Sequence, residues 1–432
     1  MSLRRLDLRG FSGDRRKLAD ALPRPVDEQE RSSEAVAAII AEVRAGGDDA
    51  MRTLTSRFDH VDIDELRVPA HEVRAALARI PTALQEALDV AHDRILAYHD
   101  HEAADVPGDF ESGGITVRHL IRPVARVGCY APGGRARYPS TVLMCAVPAH
   151  VAGVEEIALC VPPGPDGSID DATLAAAAVA GVTEVYRVGG AQAIAAMAYG
   201  TETIAAVDVI VGPGNRYVAE AKRQVSGVVG VASAFAGPSE VVVIAGPDTP
   251  PEYAAIDLVV QAEHGPDGLA WLITWSEDVL ERVCAAVDRI VAESPRRADL
   301  EATLGAGGWA VLVDGPKQAC AVSNVVAPEH LELLTKNAAS LLGHIQSAGA
   351  VFLGTNAPAS VGDYLAGPNH VLPTNRTARF ASALRVDDFR KHIHAVGIDD
   401  EALRTLGPHV VTLAETEGLP AHARSVQVRW QA

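Results

Sequence analysis

The sequence predicts an α/β protein with mainly parallel sheets, and three observations carry that expectation. From about Ile115 onward, short β-branched runs alternate with alanine-rich helical patterns, the rhythm of βα units. Three of the runs pass straight into glycine turns, at Val127-Gly128-Cys129-Tyr130-Ala131-Pro132-Gly133-Gly134, Val188-Gly189-Gly190-Ala191-Gln192 and Val211-Gly212-Pro213-Gly214-Asn215. The βα-rich stretch divides into regions of roughly 130–236 and 238–380 that could form two similar lobes, with small ligands expected in a crevice at the carboxyl ends of the strands.

In chain order, helices come first: Ser33 to Arg44, Val73 to Arg79 and Pro81 to His101, the last with Leu84, Leu88, Ala91 and Ile95 at three- and four-residue steps. Strands are expected at Glu156 to Val161, Glu184 to Val188, Val207 to Val211, Glu240 to Ala245, Leu269 to Trp275, Ala310 to Val313 and Ala350 to Leu353. After Phe380 the charge rises and strand signals fade, leaving a polar helical stretch at Asp399 to Leu406 and a tail from Leu413 to Ala432.

A chain of 432 residues with 48% hydrophobic content can bury large cores and favours more than one domain. Its 38 basic and 56 acidic residues give a formal charge of -18, which opposes binding to nucleic-acid phosphates or anionic membranes. Five widely spaced cysteines in apolar surroundings give no disulfide framework and suit a reducing, cytoplasmic compartment. Met1 to Arg24 has arginines but no apolar core, and later apolar runs are broken short of spanning length, so neither an export signal nor a membrane span is expected.

Four dispersed segments end in metal-ligating or acid/base side chains: Gln261-Ala262-Glu263-His264, Pro328-Glu329-His330, Gly362-Asp363-Tyr364, and Glu417 with His422. A mixed oxygen and nitrogen donor set without cysteine suits a divalent cation that keeps positions open for substrate. Gln261 and His264 lie three apart at the end of a helical run and could chelate from one face; alone, His264 also fits a helix C-terminal cap. Glu329 and His330 follow a proline in what reads as a first helical turn, offering two proton acceptors of different strength to one cleft. Asp363 reads as a loop residue among small neighbours, and His422 by itself as a tail histidine. None of the glycine turns matches the dinucleotide fingerprint, so they mark anion or ligand loops without naming the ligand.

Taken together, these segments resemble the histidinol dehydrogenase family nearly end to end. The likeness rests on the Tyr130 turn with Tyr138-Pro139-Ser140-Thr141-Val142-Leu143-Met144, on Gly189-Gly190-Ala191-Gln192-Ala193-Ile194 with the Val211 turn, on Ala236-Gly237-Pro238-Ser239-Glu240, and on the four dispersed segments. It implies two incomplete Rossmann-like lobes of the aldehyde-dehydrogenase type with N- and C-terminal helical extensions. The implied units are an arm at 1–25, a main lobe of 26–129 and 238–381 carrying the metal and catalytic residues, a second lobe at 130–237 for NAD, and a helical tail at 382–432.

The implied activity is the NAD-dependent, four-electron oxidation of L-histidinol to L-histidine through bound L-histidinaldehyde. One zinc per subunit would be held by Gln261, His264, Asp363 and His422, the last supplied by the partner in a homodimer with shared active sites. Ser239, Gln261, His264, His330, Asp363, Glu417 and His422 would contact substrate, and Tyr130, Gln192 and Asn215 the cofactor. His330 would take the alcohol proton and Glu329 activate the water that adds to the aldehyde. Lys391-His392-Ile393-His394 and Cys145 depart from the family's pattern. Other readings are a cysteine-nucleophile aldehyde dehydrogenase, a same-family enzyme for another small polar alcohol, with Glu417 favouring an imidazole N–H over an anionic group, and a non-catalytic metal-stabilised protein.

Overall fold

The computed structural model describes residues 3–23, 30–133, 137–232, 239–263, 265 and 268–430, with only the backbone of 30 and 31. His264, Gly134 and residues 236–238 of the Ser239 motif lie outside the described residues. The described strands are β1 (Arg4–Asp7), β2 (Arg67–Val68), β3 (Phe110–Ser112), β4 (Ile115–Pro123), β5 (Arg126–Tyr130), β6 (Glu156–Val161), β7 (Glu184–Arg187), β8 (Val209–Val211), β9 (Gly230–Val231), β10 (Glu240–Ala245), β11 (Leu269–Thr274), β12 (Gly308–Leu312), β13 (His330–Leu334), β14 (Ala350–Leu353) and β15 (Arg390–Ile398).

They form two six-stranded sheets and one of three strands. The first sheet runs β1-β12-β11-β10-β13-β14 and is parallel throughout. The second runs β2-β7-β6-β5-β8-β9, parallel except for β2. Chain order reverses between β10 and β13 in one and between β5 and β8 in the other, the switch points where doubly wound sheets open a crevice. This is the mainly parallel α/β architecture expected.

Alternation along each strand explains why these runs are apolar on both sides. Val127, Cys129, Leu159 and Val185 enter one core, while Tyr130, Ala158, Cys160 and Tyr186 enter another on the opposite face of the same sheet. In the first sheet Val241, Val243 and Leu334 face the helix Pro251–Ala262, and Val242, Leu331 and Leu333 face the other side.

Several local expectations are corrected. His330 does not open a helix: Ala327 in the left-handed region (φ 52) ends the preceding helix, and His330 to Leu334 are hydrogen-bonded between β10 and β14. Asp363 lies in a short helix, Ala359–Tyr364, rather than an irregular loop. Strand structure does not fade after Phe380, because β15 pairs antiparallel with all of β4, from Arg390 with Pro123 to Ile398 with Ile115. The segment grouping differs too: β1 of the N-terminal arm completes the first sheet, whereas β2 and β5, expected in the main lobe with 238–381, are hydrogen-bonded into the second. Beyond β15 the tail is helical as expected, Asp400–Thr416 and Pro420–Trp430, packed closely where Gly407 meets the Trp430 ring.

At the turn after β8, Gly212 has φ +105 and an added Cβ would meet the carbonyl oxygen of Tyr130. Gly212→Ala is expected to destabilise this lobe by roughly 1–3 kcal/mol, read as a lowered thermal midpoint.

Candidate active site

The strands of the first sheet bring their functional residues together at an unexpected edge. Ser239 and Glu240 stand at the start of β10, and Glu329 and His330 at the start of β13. These are amino ends, not the carboxyl ends where a crevice was expected. Pairing of Val241 with His330 places the two strand starts side by side.

Glu329 Oε2 accepts from the Ser239 hydroxyl at 2.5 Å and from the Glu240 amide at 3.1 Å. His330 Nδ1 lies 3.6 Å from that same oxygen, and its Nε2 lies 3.3 Å from Asp363 Oδ1. The imidazole is thus flanked by two carboxylates, with the Phe352 ring stacked 6.0 Å away at 27°. Burial alone would lower the His330 pKa, but the Glu329 charge and the Asp363 hydrogen bond outweigh it and hold the imidazole up at about 9. Burial, reinforced by the Glu329 charge, pushes the Glu240 carboxyl up to about 8.

Gln261 ends the helix Pro251–Ala262, is almost fully buried, and has an amide nitrogen with no hydrogen-bond partner. The two ends of an amide are interchangeable in assignment; exchanged, that unpaired end offers an oxygen lone pair to a cation. Asp363 and Gln261 therefore fit the oxygen half of a mixed donor set. Among the described residues no three His, Cys, Asp or Glu side chains gather as a metal group, and His264 is not one of those residues. Glu417 caps the helix Asp400–Thr416 and His422 lies in the next helix; both are exposed in the chain.

The cofactor candidates sit at the carboxyl edge of the second sheet. Tyr130, Gln192 and Asn215 line one cavity of about 1390 Å³ with Pro132, Gly190 and Asp59, larger than the roughly 300–1,000 Å³ typical of drug-sized ligands and suited to a dinucleotide. The Gly190 amide donates to Tyr130 Oη at 3.1 Å. Asn215 caps its helix, accepting from the amides of Tyr217 and Val218 at 3.0 and 3.1 Å, which leaves its NH₂ for the cavity. Buried Lys222 donates to the Gly212 carbonyl and braces the same turn, burial lowering its pKa to about 8.

Sequence reasoning passed over several residues here. Asp59, from the N-terminal helices, contributes a half-buried carboxyl with an unpaired Oδ2, its pKa raised to about 6 by burial. His370 Nδ1 donates to the Asp363 carbonyl at 2.5 Å, and adjacent Asn369 donates to the Met144 carbonyl at 2.6 Å, tying the Asp363 segment to the second lobe. Glu332 is fully buried on β13; an acidic residue inside a leucine run is the one signal that could have marked it. The thiol reading loses its nucleophile: all five cysteines are free and buried, and burial raises the Cys160 and Cys284 thiols, opposite to what an activated thiolate needs.

A family model described as histidinol dehydrogenase matches residues 22–430. The histidinol dehydrogenase of Gluconobacter oxydans (strain 621H) is 46% identical over 99% of each chain. That of Neisseria gonorrhoeae (strain ATCC 700825 / FA 1090) is 47% identical over 91% of this chain and 92% of its own. The crystal structure of histidinol dehydrogenase from Elizabethkingia anophelis superposes with a TM-score of 0.94 at 35% identity, covering 100% of this chain and 98% of that one.

The charges around His330 give a titration test in the metal-free protein. The imidazole is expected to titrate near 9, and Asp363→Asn or Glu329→Gln, by removing a partner of the imidazolium, should move the midpoint downward in an NMR titration of labelled histidine.

Proposed function

The chain belongs to the histidinol dehydrogenase family, which carries out the final steps of histidine biosynthesis, and on that premise we propose how its residues divide the work of taking L-histidinol to L-histidine. The observation that supports the assignment best is the array Ser239–Glu329–His330–Asp363, one imidazole between two carboxylates at the paired starts of β10 and β13. When bound, NAD supplies the hydride acceptor for each of the two oxidations, and zinc a fixed point on which the substrate's amino and imidazole nitrogens chelate. Tyr130, Gln192 and Asn215 would hold the cofactor; Gln261, His264, Asp363 and the partner subunit's His422 would hold the metal.

His330 takes the alcohol proton in the first oxidation. An Asp363 carboxylate committed to a metal would support the imidazolium less, which would favour the base form of His330. Glu329 orients and deprotonates the water that adds to the bound aldehyde, its Oε2 fixed by the Ser239 hydroxyl and the Glu240 amide. Fixing an acceptor with two donors removes rotational freedom before the reaction rather than during it. Burial of Glu329 and His330, with the Phe352 ring stacked on His330, limits access of bulk water to the reacting atoms.

The tail also suits a shared site. Glu417 and His422 are exposed in the chain, and so are Val396, Leu413 and Leu419 on the same C-terminal unit. Large apolar side chains gathered on one unit favour coverage by a second copy. We place Glu417 on the substrate imidazole of the neighbouring site, and the enzyme in the cytoplasm; no helix among the described residues is long and apolar enough to cross a membrane.

Two reduced cofactors should form for each L-histidinol consumed, counted by absorbance; one per substrate contradicts the four-electron scheme. Glu329→Gln and His330→Asn should each lower kcat by roughly 10²–10⁴-fold with little change in KM. Mixing inactive His330→Asn and His422→Ala subunits should restore part of the activity, since a hybrid dimer contains one intact site; no recovery after verified subunit exchange contradicts sharing of the tail.

A further inference from the structure

We propose that Glu332 is a positioning residue for this site, one buried side chain that sets the strand of His330, the helix of Gln261 and the helix of Asp363 in a common register. The inference deepens the functional reading above and rests on its ligand assignment.

Glu332 follows His330 by two residues on β13, so both side chains leave the sheet on the same face. That face is otherwise apolar, with Val241, Val243 and Leu334 packed against the helix Pro251–Ala262. Into it Glu332 brings a fully buried carboxyl group. Its Oε1 accepts from the Ala359 amide at 2.8 Å, at the start of the helix Ala359–Tyr364 and four residues before Asp363. Its carboxyl is also close enough to that of Asp257, four residues before Gln261 on the helix Pro251–Ala262, for each to shift the other's titration. Both arms therefore end one helical turn from a proposed metal ligand, while the strand itself carries the proposed base.

The chemistry of the pair explains why an acid stands here. Two carboxylates cannot hydrogen-bond without a proton between them. Glu332 Oε2 is buried with no donor set against it, so a proton shared with Asp257 is what would pair it. Burial and the Asp257 partner push the Glu332 pKa up to about 9, which makes Glu332 the protonated member. As a neutral acid it donates to Asp257 and accepts from Ala359, the inventory that a glutamine reproduces. An apolar residue of similar size fills the volume but leaves the Ala359 amide unpaired and both helices free to shift. Glu332 itself touches no reacting atom in this scheme.

The test compares Glu332→Gln, Glu332→Leu, Asp257→Asn and Asp257→Leu in the full-length protein. Zinc affinity is measured by competition with a chromogenic chelator, alongside kcat and KM for L-histidinol. The amide variants should keep zinc affinity and kcat near wild type. The leucine variants should lose roughly 10- to 100-fold in zinc affinity, with a lower kcat and an unchanged thermal midpoint of the cofactor lobe. Asp257 is only half-buried, so Asp257→Leu serves if Glu332→Leu fails to fold. Leucine variants that bind zinc and turn over like wild type overturn the proposal, as do folded amide variants that lose as much as the leucine ones. A Gln261→Ala control that binds zinc normally sinks the ligand assignment instead; positioning is then judged from kcat alone, which must fall in Glu332→Leu and not in Glu332→Gln.

Discussion

The structure is organised around an excess of acid where water is scarce. Glu240, Glu329 and Glu332 are buried and Asp257 and Asp363 partly so, all near the starts of β10 and β13. The positive groups set against them are the imidazole of His330 and, beside Glu240, Arg376. Burying a carboxylate without a partner is costly enough that it protonates instead, and Glu240 and Glu332 follow that rule. Asp363 and Glu329 instead lean on His330. Such a cluster is stable only with bound protons or a cation, so acid retained here in a well-packed lobe is explained by a task that needs the charge.

The two lobes use opposite edges of similar sheets. In the second, the cavity-lining residues stand where doubly wound sheets usually present a ligand site, at the carboxyl ends around the β5 and β8 switch point. In the first, the amino ends of β10 and β13 carry Glu329 and His330, the proposed reactive side chains. The segment from Asp363 to Val371 joins the two: His370 holds the Asp363 carbonyl, Asn369 reaches the Met144 carbonyl, and Val371 enters a core of the second lobe. A change in the spacing of the lobes would pass directly to Asp363.

Much of this fold was legible because fully buried parallel strands announce themselves. Glu156–Val161, Glu240–Ala245 and Ala350–Leu353 match their expected limits, each an apolar run closed by turn residues. Strand β13 was hidden because Pro-Glu before His330 imitates a helix start and Glu332 interrupts its apolar run, the very residues the site requires. Strand β15 was hidden because Lys391, His392 and His394 give it little β character; its pairing with β4 supplies what local preference lacks. Glu30–Asp59 is two helices meeting at a kink where Gly47 has φ 51, and only Ser33 to Arg44 of the first was foreseen. At the site, Ser239, Glu329, His330 and Asp363 lie together, whereas Glu417 and His422 stand exposed on the tail. Asp257 and His370 had no sequence signature, and Glu332 had only its place inside an apolar run, because their roles depend on which helix packs over which strand.

The most direct test of the charge constraint is calorimetric titration of the metal-free protein with zinc in two buffers of different ionisation enthalpy. A cation answering the buried acid should bind once per chain and drive protons off the His330 and carboxyl cluster, giving an observed enthalpy that depends on the buffer. Saturable binding with no net proton release, or no stoichiometric binding at all, would contradict the account.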